Sequence, residues 1–165
     1  MQSKSLIVVS VKNIKGGKMT VKQYLLQSVL IREKMSYISE RIEKLRADLG
    51  YHPVQLDDSG ASHLNYREDQ MLKYAAELDE LEREWEKKRI ELEKKNNEIR
   101  GFIETLDNPE YVAVLTHRYI TENKRYPARL NTWVAVAFKL GLTSEEAVKQ
   151  KHKRAIRNLE KNFSV

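Results

Sequence analysis

Between residues 24 and 106 the apolar positions recur at alternating steps of four and three, the period of a coiled-coil seam rather than of a wider globular stripe. The first run is Tyr24, Ser28, Ile31, Met35, Ile38, Ile42, Leu45 and Leu49. Thr20 with Gln23 three residues on forms a capping box that predicts its start, and Gly50 predicts its end. Residues 50–65, with Pro53, Gly60 and a cluster of Asp and Ser, have turn chemistry and no helical period. So long a connection is expected to be a functional tip or disordered. Asn65 with Glu68 predicts the next helix start. A second seam follows at Met71, Tyr74, Leu78, Leu81, Trp85, Lys88, Leu92, Lys95, Ile99, Phe102 and Leu106. At 1.5 Å rise per residue these helices would be about 45 Å and about 63 Å long. An antiparallel hairpin therefore leaves Ile99, Phe102 and Leu106 in need of another partner, either the C-terminal segment or a second subunit. Lys88 and Lys95 interrupt the seam, a device that restricts register and oligomer state. A homodimer through the coiled coil is the expected assembly.

Asp107-Asn108-Pro109-Glu110 punctuates the pattern, with Asn as helix cap, Pro at the first helical position and Glu in the first turn. Tyr111, Val112, Val114, Leu115, Tyr119 and Ile120 supply the apolar side of the helix that follows, and residues 121–131 make a polar, basic connection. A short helix is predicted over Thr132–Leu140, then Gly141-Leu142-Thr143, then a last helix reaching about Phe163. Thr143 with Glu146 reads as its capping box. The fold class expected is all-α, a long antiparallel coiled-coil hairpin followed by a C-terminal helix-turn-helix domain. Its divisions are residues 1–18, 19–107 and 108–165.

Residues 1–18 carry a β-branched run, Leu6 to Val11, and Lys-Gly-Gly-Lys directly before Met19. Such a Gly-Gly pair is compatible with a purine-rich ribosome-binding stretch. Met19 is then the expected natural start and residues 1–18 a translated leader; the alternative is a disordered or β-adding arm.

The length of 165 residues excludes two large domains, and 33% charged residues with only 6 Gly and 3 Pro exclude collagenous and low-complexity chains. No Cys is present, which removes disulfides and thiolate chemistry and fits a reducing cytoplasm. No apolar run approaches the roughly 20 residues that cross a bilayer, so no membrane association is expected. The net charge of +6 is unevenly spread. Residues 1–18 hold four Lys and no acid, residues 19–108 hold 15 basic and 19 acidic side chains, and residues 109–165 hold 11 basic and five acidic. A basic C-terminal third is where double-stranded DNA would be met, the middle being left for protein.

Short helix, glycine turn and capped helix is the plan in which the second helix enters the major groove. On the last helix Val148, Ala155, Ile156, Leu159 and Phe163 share one face, while Glu146, Lys149, Gln150, Lys153, Arg154 and Arg157 occupy the other and its flanks. Gln can read adenine and Lys guanine, whereas Lys153, Arg154 and Arg157 suit phosphates. His52, His63, His117 and His152 are scattered, so no metal site is expected. No nucleophile motif or phosphate-binding glycine loop occurs, so neither enzyme activity nor a cofactor is expected.

The run Thr132 to Gly141, followed by Val148-Lys149-Gln150 and Arg154-Ala155-Ile156-Arg157-Asn158-Leu159, resembles the helix-turn-helix of sigma-70 region 4. The layout from Met19 onward, with Asn108-Pro109 and His117-Arg118-Tyr119-Ile120, is similar to ArpU-type late-gene transcriptional regulators of phages and prophages. The resemblance implies a phage regulator acting in the cytoplasm of a bacterial host, binding promoter DNA and touching host RNA polymerase. It places the DNA-contacting turns at Glu145, Glu146, Lys149 and Gln150. With the preceding Ser144 and the distal basic residues, the candidate interface is Ser144, Glu145, Glu146, Lys149, Gln150, Lys153, Arg154 and Arg157. The chain departs from the family in its longer segment 121–131, in one extra residue between Gly141 and Val148, and in Lys151, where an aliphatic residue is usual. The stem of Lys151 is expected to lie over the core with its ammonium in solvent. Two other readings remain: a small-terminase-like packaging protein, and a structural coiled coil that binds nucleic acid without sequence preference.

Overall fold

A computed structural model describes residues 19–50 and 62–162 of the chain. The expected leader 1–18, the tip of the predicted loop at 51–61 and Phe163 lie outside the described residues. Among the described residues the secondary structure is helical, with no strand. The elements are α1 (Val21–Leu25), α2 (Gln27–Gly50), α3 (Ser62–Ile103), α4 (Pro109–Leu115) continued by a π-helical turn (Thr116–Ile120), α5 (Trp133–Lys139) and α6 (Glu145–Asn162).

Local sequence chemistry sets most of these boundaries. Thr20 Oγ1 accepts from the Gln23 N–H at 3.2 Å, while the Gln23 side chain accepts from the Thr20 N–H at 2.8 Å, the reciprocal capping box expected. Asn108 Oδ1 accepts from the Glu110 N–H at 2.9 Å with Pro109 in the first turn, as the sequence predicts. The start of α3 differs from expectation: the helix begins at Ser62, so Asn65 lies inside it rather than at its cap. Nothing between Gly60 and Asn65 breaks a helix, and one more turn forms.

The chain divides into two compact units, one holding described residues 19–33 and 91–162, the other 34–50 and 62–90. In the first unit, Val21, Tyr24 and Leu25 of α1 join Ile99, Phe102 and Ile103 of the α3 end, Leu106 just beyond it, Leu115, Tyr119 and Ile120, and Ala155 and Leu159 of α6 in one apolar core. Ile99, Phe102 and Leu106 thus find their partner in the C-terminal helices and α1. The narrow seam expected for residues 24–31 is replaced here by a wider buried stripe that includes Leu25, Val29 and Arg32. The reason is that this stretch meets several helices rather than one. The helix is also interrupted at Leu26, between α1 and α2. Lys95, one of the seam interruptions, pairs with Glu98 at 2.6 Å and lies over the Tyr24 ring at 5.6 Å from its centroid.

The second unit is thinner. Ile38, Ile42 and Leu45 of α2 bury against Leu81 of α3, with half-buried Tyr74, Leu78 and Trp85 beside them. Arg41 pairs with Glu77, and Arg46 with Glu82 at 2.7 Å. Such exposed pairs typically contribute about 0–1 kcal/mol. Met71, expected in the seam, is 52% exposed, so the apolar contact has run out before it.

Two interactions tie α2 and the C-terminal helices of the first unit to one another. Arg32, buried in α2, donates from Nη2 to the Tyr119 carbonyl at 3.0 Å and from Nη1 to the Ile120 carbonyl at 3.3 Å. These are carbonyls at the end of the π turn, which has no following turn to bond them. The π turn itself is marked by the Thr121 N–H donating to the Thr116 carbonyl five residues back, at 2.9 Å.

Candidate nucleic-acid interface

The C-terminal candidate is built from α5, a tight turn and α6. Thr132 Oγ1 accepts from the Ala135 N–H at 3.2 Å and starts α5. Gly141, at φ 65°, ends it, with its N–H on the Phe138 carbonyl at 3.2 Å and the Leu142 N–H on the Ala137 carbonyl at 2.9 Å. That pair of bonds is a Schellman closure, which needs the left-handed backbone that glycine adopts without strain. The cap of α6 is Ser144, not Thr143: Ser144 Oγ accepts from the Ala147 N–H at 3.1 Å. The helix starts one residue later than the sequence assigned, at Glu145, and the Thr143–Glu146 capping box expected from sequence does not form. Ser144, a candidate DNA contact, therefore has its hydroxyl engaged in the cap.

Val114, Val136, Ala137 and Val148 form a second apolar cluster that clamps α4, α5 and α6 together, with Trp133, Leu140 and Leu142 against it. Val148, Ala155 and Leu159 are fully buried on one face of α6. An aromatic stack runs beside them. Arg118 lies over the Trp133 ring at 4.0 Å and donates to the Asn131 carbonyl. The Trp133 ring meets His152 edge-on at 4.9 Å, and Tyr119 Oη is hydrogen-bonded to His152 Nε2 at 2.9 Å. Burial, with Arg118 and Lys22 nearby, pushes the His152 imidazole down to about 4 and keeps it neutral. Asn131 fixes the entry to α5 by donating to the His117 and Thr121 carbonyls at 2.8 and 2.7 Å. Lys151 departs from the expectation of a solvated ammonium: it pairs with Glu110 of α4, its side chain 24% exposed. A carboxylate in the first turn of α4 is within its reach, which makes the ion pair available.

On the outward side, Glu146, Gln150, Lys153, Arg154 and Arg157 are exposed, and Glu145 and Lys149 are half-exposed. The first turns of α6 are internally paired. Lys149 Nζ meets Glu145 Oε1 at 2.6 Å, a bond that raises the Lys149 ammonium above its ordinary range. Gln150 Nε2 donates to Glu146 Oε1 at 3.1 Å. Helical pairs four apart are worth a few tenths of a kcal/mol each, so a stronger ligand can replace them. Lys153, Arg154 and Arg157 have no such pairing among the described residues, and unneutralised positive charge on α6 gathers there.

Two features were missed by sequence reasoning. Tyr126 carries two guanidinium groups over its ring, and the run Lys124-Arg125-Tyr126 was a visible signal, read only as a basic connection. Val134 and Phe138 turn outward from α5, 63% and 86% exposed, and nothing in the alternation of Val and Ala foretold it. Comparison of the chain with protein-family models, with curated proteins and with solved structures gives no match. No helix among the described residues is long and apolar enough to cross a membrane.

Proposed function

We propose that this chain is a DNA-binding transcriptional regulator of the phage late-gene type, with α5, the Gly141 turn and α6 acting as a helix-turn-helix. The observation that carries the reading is the sidedness of α6. Val148, Ala155 and Leu159 are fully buried while Lys153, Arg154 and Arg157 stand exposed and unpaired on the opposite side. In this reading α6 lies in the major groove, Lys149 and Gln150 exchange their acidic neighbours for base edges, and Lys153, Arg154 and Arg157 hold phosphates. The heptads of α2 and α3 supply an antiparallel coiled-coil hairpin through which the protein dimerises or meets host RNA polymerase.

Fluorescence anisotropy with duplexes tiled from the gene's own neighbourhood, against a random duplex and across a salt series, tests this. One fragment bound preferentially above physiological salt is the expected result, and Gln150→Ala should then relax the preference. The pairing of Lys149 and Gln150 with Glu145 and Glu146 favours a second reading, in which the basic face is only an electrostatic anchor for a packaging or structural protein. Equal, steeply salt-sensitive binding to every duplex would replace the first reading by that one.

A further inference from the structure

The connection between the π turn and α5 is a built turn rather than a slack link. Asn123 Oδ1 accepts from the N–H groups of Arg125 and Tyr126, both at 3.0 Å, and the Arg129 N–H donates to the Tyr126 carbonyl at 2.8 Å. On this frame the guanidinium of Arg129 lies 5.0 Å from the Tyr126 ring centroid and that of Arg125 lies 5.5 Å from it. Tyr126 is 48% exposed, and both arginines are exposed. Glu33 lines the same shallow groove as Arg129 without forming an ion pair with it. Among the described residues no carboxylate pairs with either arginine. Two like charges held against one ring repel each other, and an anion shared between them relieves that repulsion. Each guanidinium presents a donor fork that fits phosphate oxygens, and the ring lowers the disorder to be lost on binding.

We infer that Arg125 and Arg129, ordered by Tyr126, form a second phosphate-binding element that grips the backbone of the nucleic acid engaged by α6. This rests on the DNA-binding reading above and adds to it a contact without sequence information.

The full chain is titrated with a random duplex across a salt series. Arg125→Gln combined with Arg129→Gln should weaken binding and make the slope of log affinity against log salt shallower by about one to two units, each lost phosphate contact removing about 0.9. Any preference between duplexes should survive. The Arg125→Lys, Arg129→Lys variant should keep the slope. Tyr126→Leu should keep the slope too but bind more weakly, since both charges remain and their ordering is lost. A double Gln variant with unchanged affinity and slope overturns the inference and leaves the α6 reading standing. If Arg154→Gln with Arg157→Gln binds like the parent while the double Gln loop variant does not, α6 is the wrong element and the loop stands. A chain that binds no duplex overturns both.

Discussion

His152 shows how one residue placed by packing acquires a measurable property. Its ring is enclosed by Tyr119 and Trp133 and faces Arg118 and Lys22, and its imidazole is pushed from the ordinary 6.5 down to about 4. The folded protein then binds fewer protons than the unfolded chain between those values. Its contribution to stability is complete above about 6.5, falls as pH drops through that window and levels off below about 4. His117, also lowered by burial and by Lys139, adds in the same direction. Urea midpoints measured from pH 7 to pH 4 should therefore decline, and His152→Gln, which keeps a partner for the Tyr119 hydroxyl, should decline less. Equal slopes for both proteins would show that the imidazole is not held neutral. None of this was readable in the sequence, where His152 was one of four scattered histidines; the partners are 19 and 33 residues away along the chain.

At the scale of the element, the caps were the most legible features, because a cap is a contact between residues two or three apart. Thr20 and Asn108 cap the helices the sequence assigned to them, while Thr132, assigned to the body of the short helix, turns out to be its cap. The last helix is the instructive exception. Thr143 and Ser144 both offer a hydroxyl, each followed by plausible first-turn residues, and it is Ser144 that accepts from the Ala147 N–H once Val148 is buried against Val114, Val136 and Ala137. Ser144→Ala should lower stability by about 1 kcal/mol, while Thr143→Ala should cost little, as read from urea midpoints. The reverse order would return the cap to Thr143. Periodicity was legible in the same partial way. Tyr24, Ile38, Leu81 and Phe102 are interior positions as the heptads predict. The width of the buried stripe around Leu25, Val29 and Arg32, by contrast, depends on helices that lie far away in sequence. The π turn had no sequence signal at all.

Across the whole molecule, the two units differ in how much apolar surface each encloses. The first holds fully buried Leu25, Ile99, Ile103, Leu115, Val148 and Leu159, whereas the second relies on Ile38, Ile42, Leu45 and Leu81, each 5–8% exposed. Opening free energy follows the local density of buried contacts. Amide hydrogen exchange should therefore show α2 and α3 amides at residues 38–45 and 74–85 opening at lower free energy than those at residues 99–103 and 155–159. Uniform protection across both sets would mean that the chain opens as one cooperative body. The sequence suggested a division between hairpin and tail. It could not show that the first unit takes residues 19–33 and 91–107 from the segment assigned to that hairpin, because Ile99 and Phe102 continue the same heptad that Leu81 belongs to.

The π turn sets the rotational phase of everything that follows it. Leu115 and Ile120 both face the core although five residues separate them, a spacing that an α-helix would carry past a full turn. One residue has in effect been inserted into the helix and absorbed there. Straightening Thr116–Ile120 into α geometry with all five residues kept would turn the downstream chain by about 100°. Tyr119 would lose its alignment with His152, the carbonyls held by Arg32 would swing away, and the Arg125–Tyr126–Arg129 cluster would be re-aimed. The helix keeps its surplus residue as an angular offset, and the heading of the basic loop depends on it.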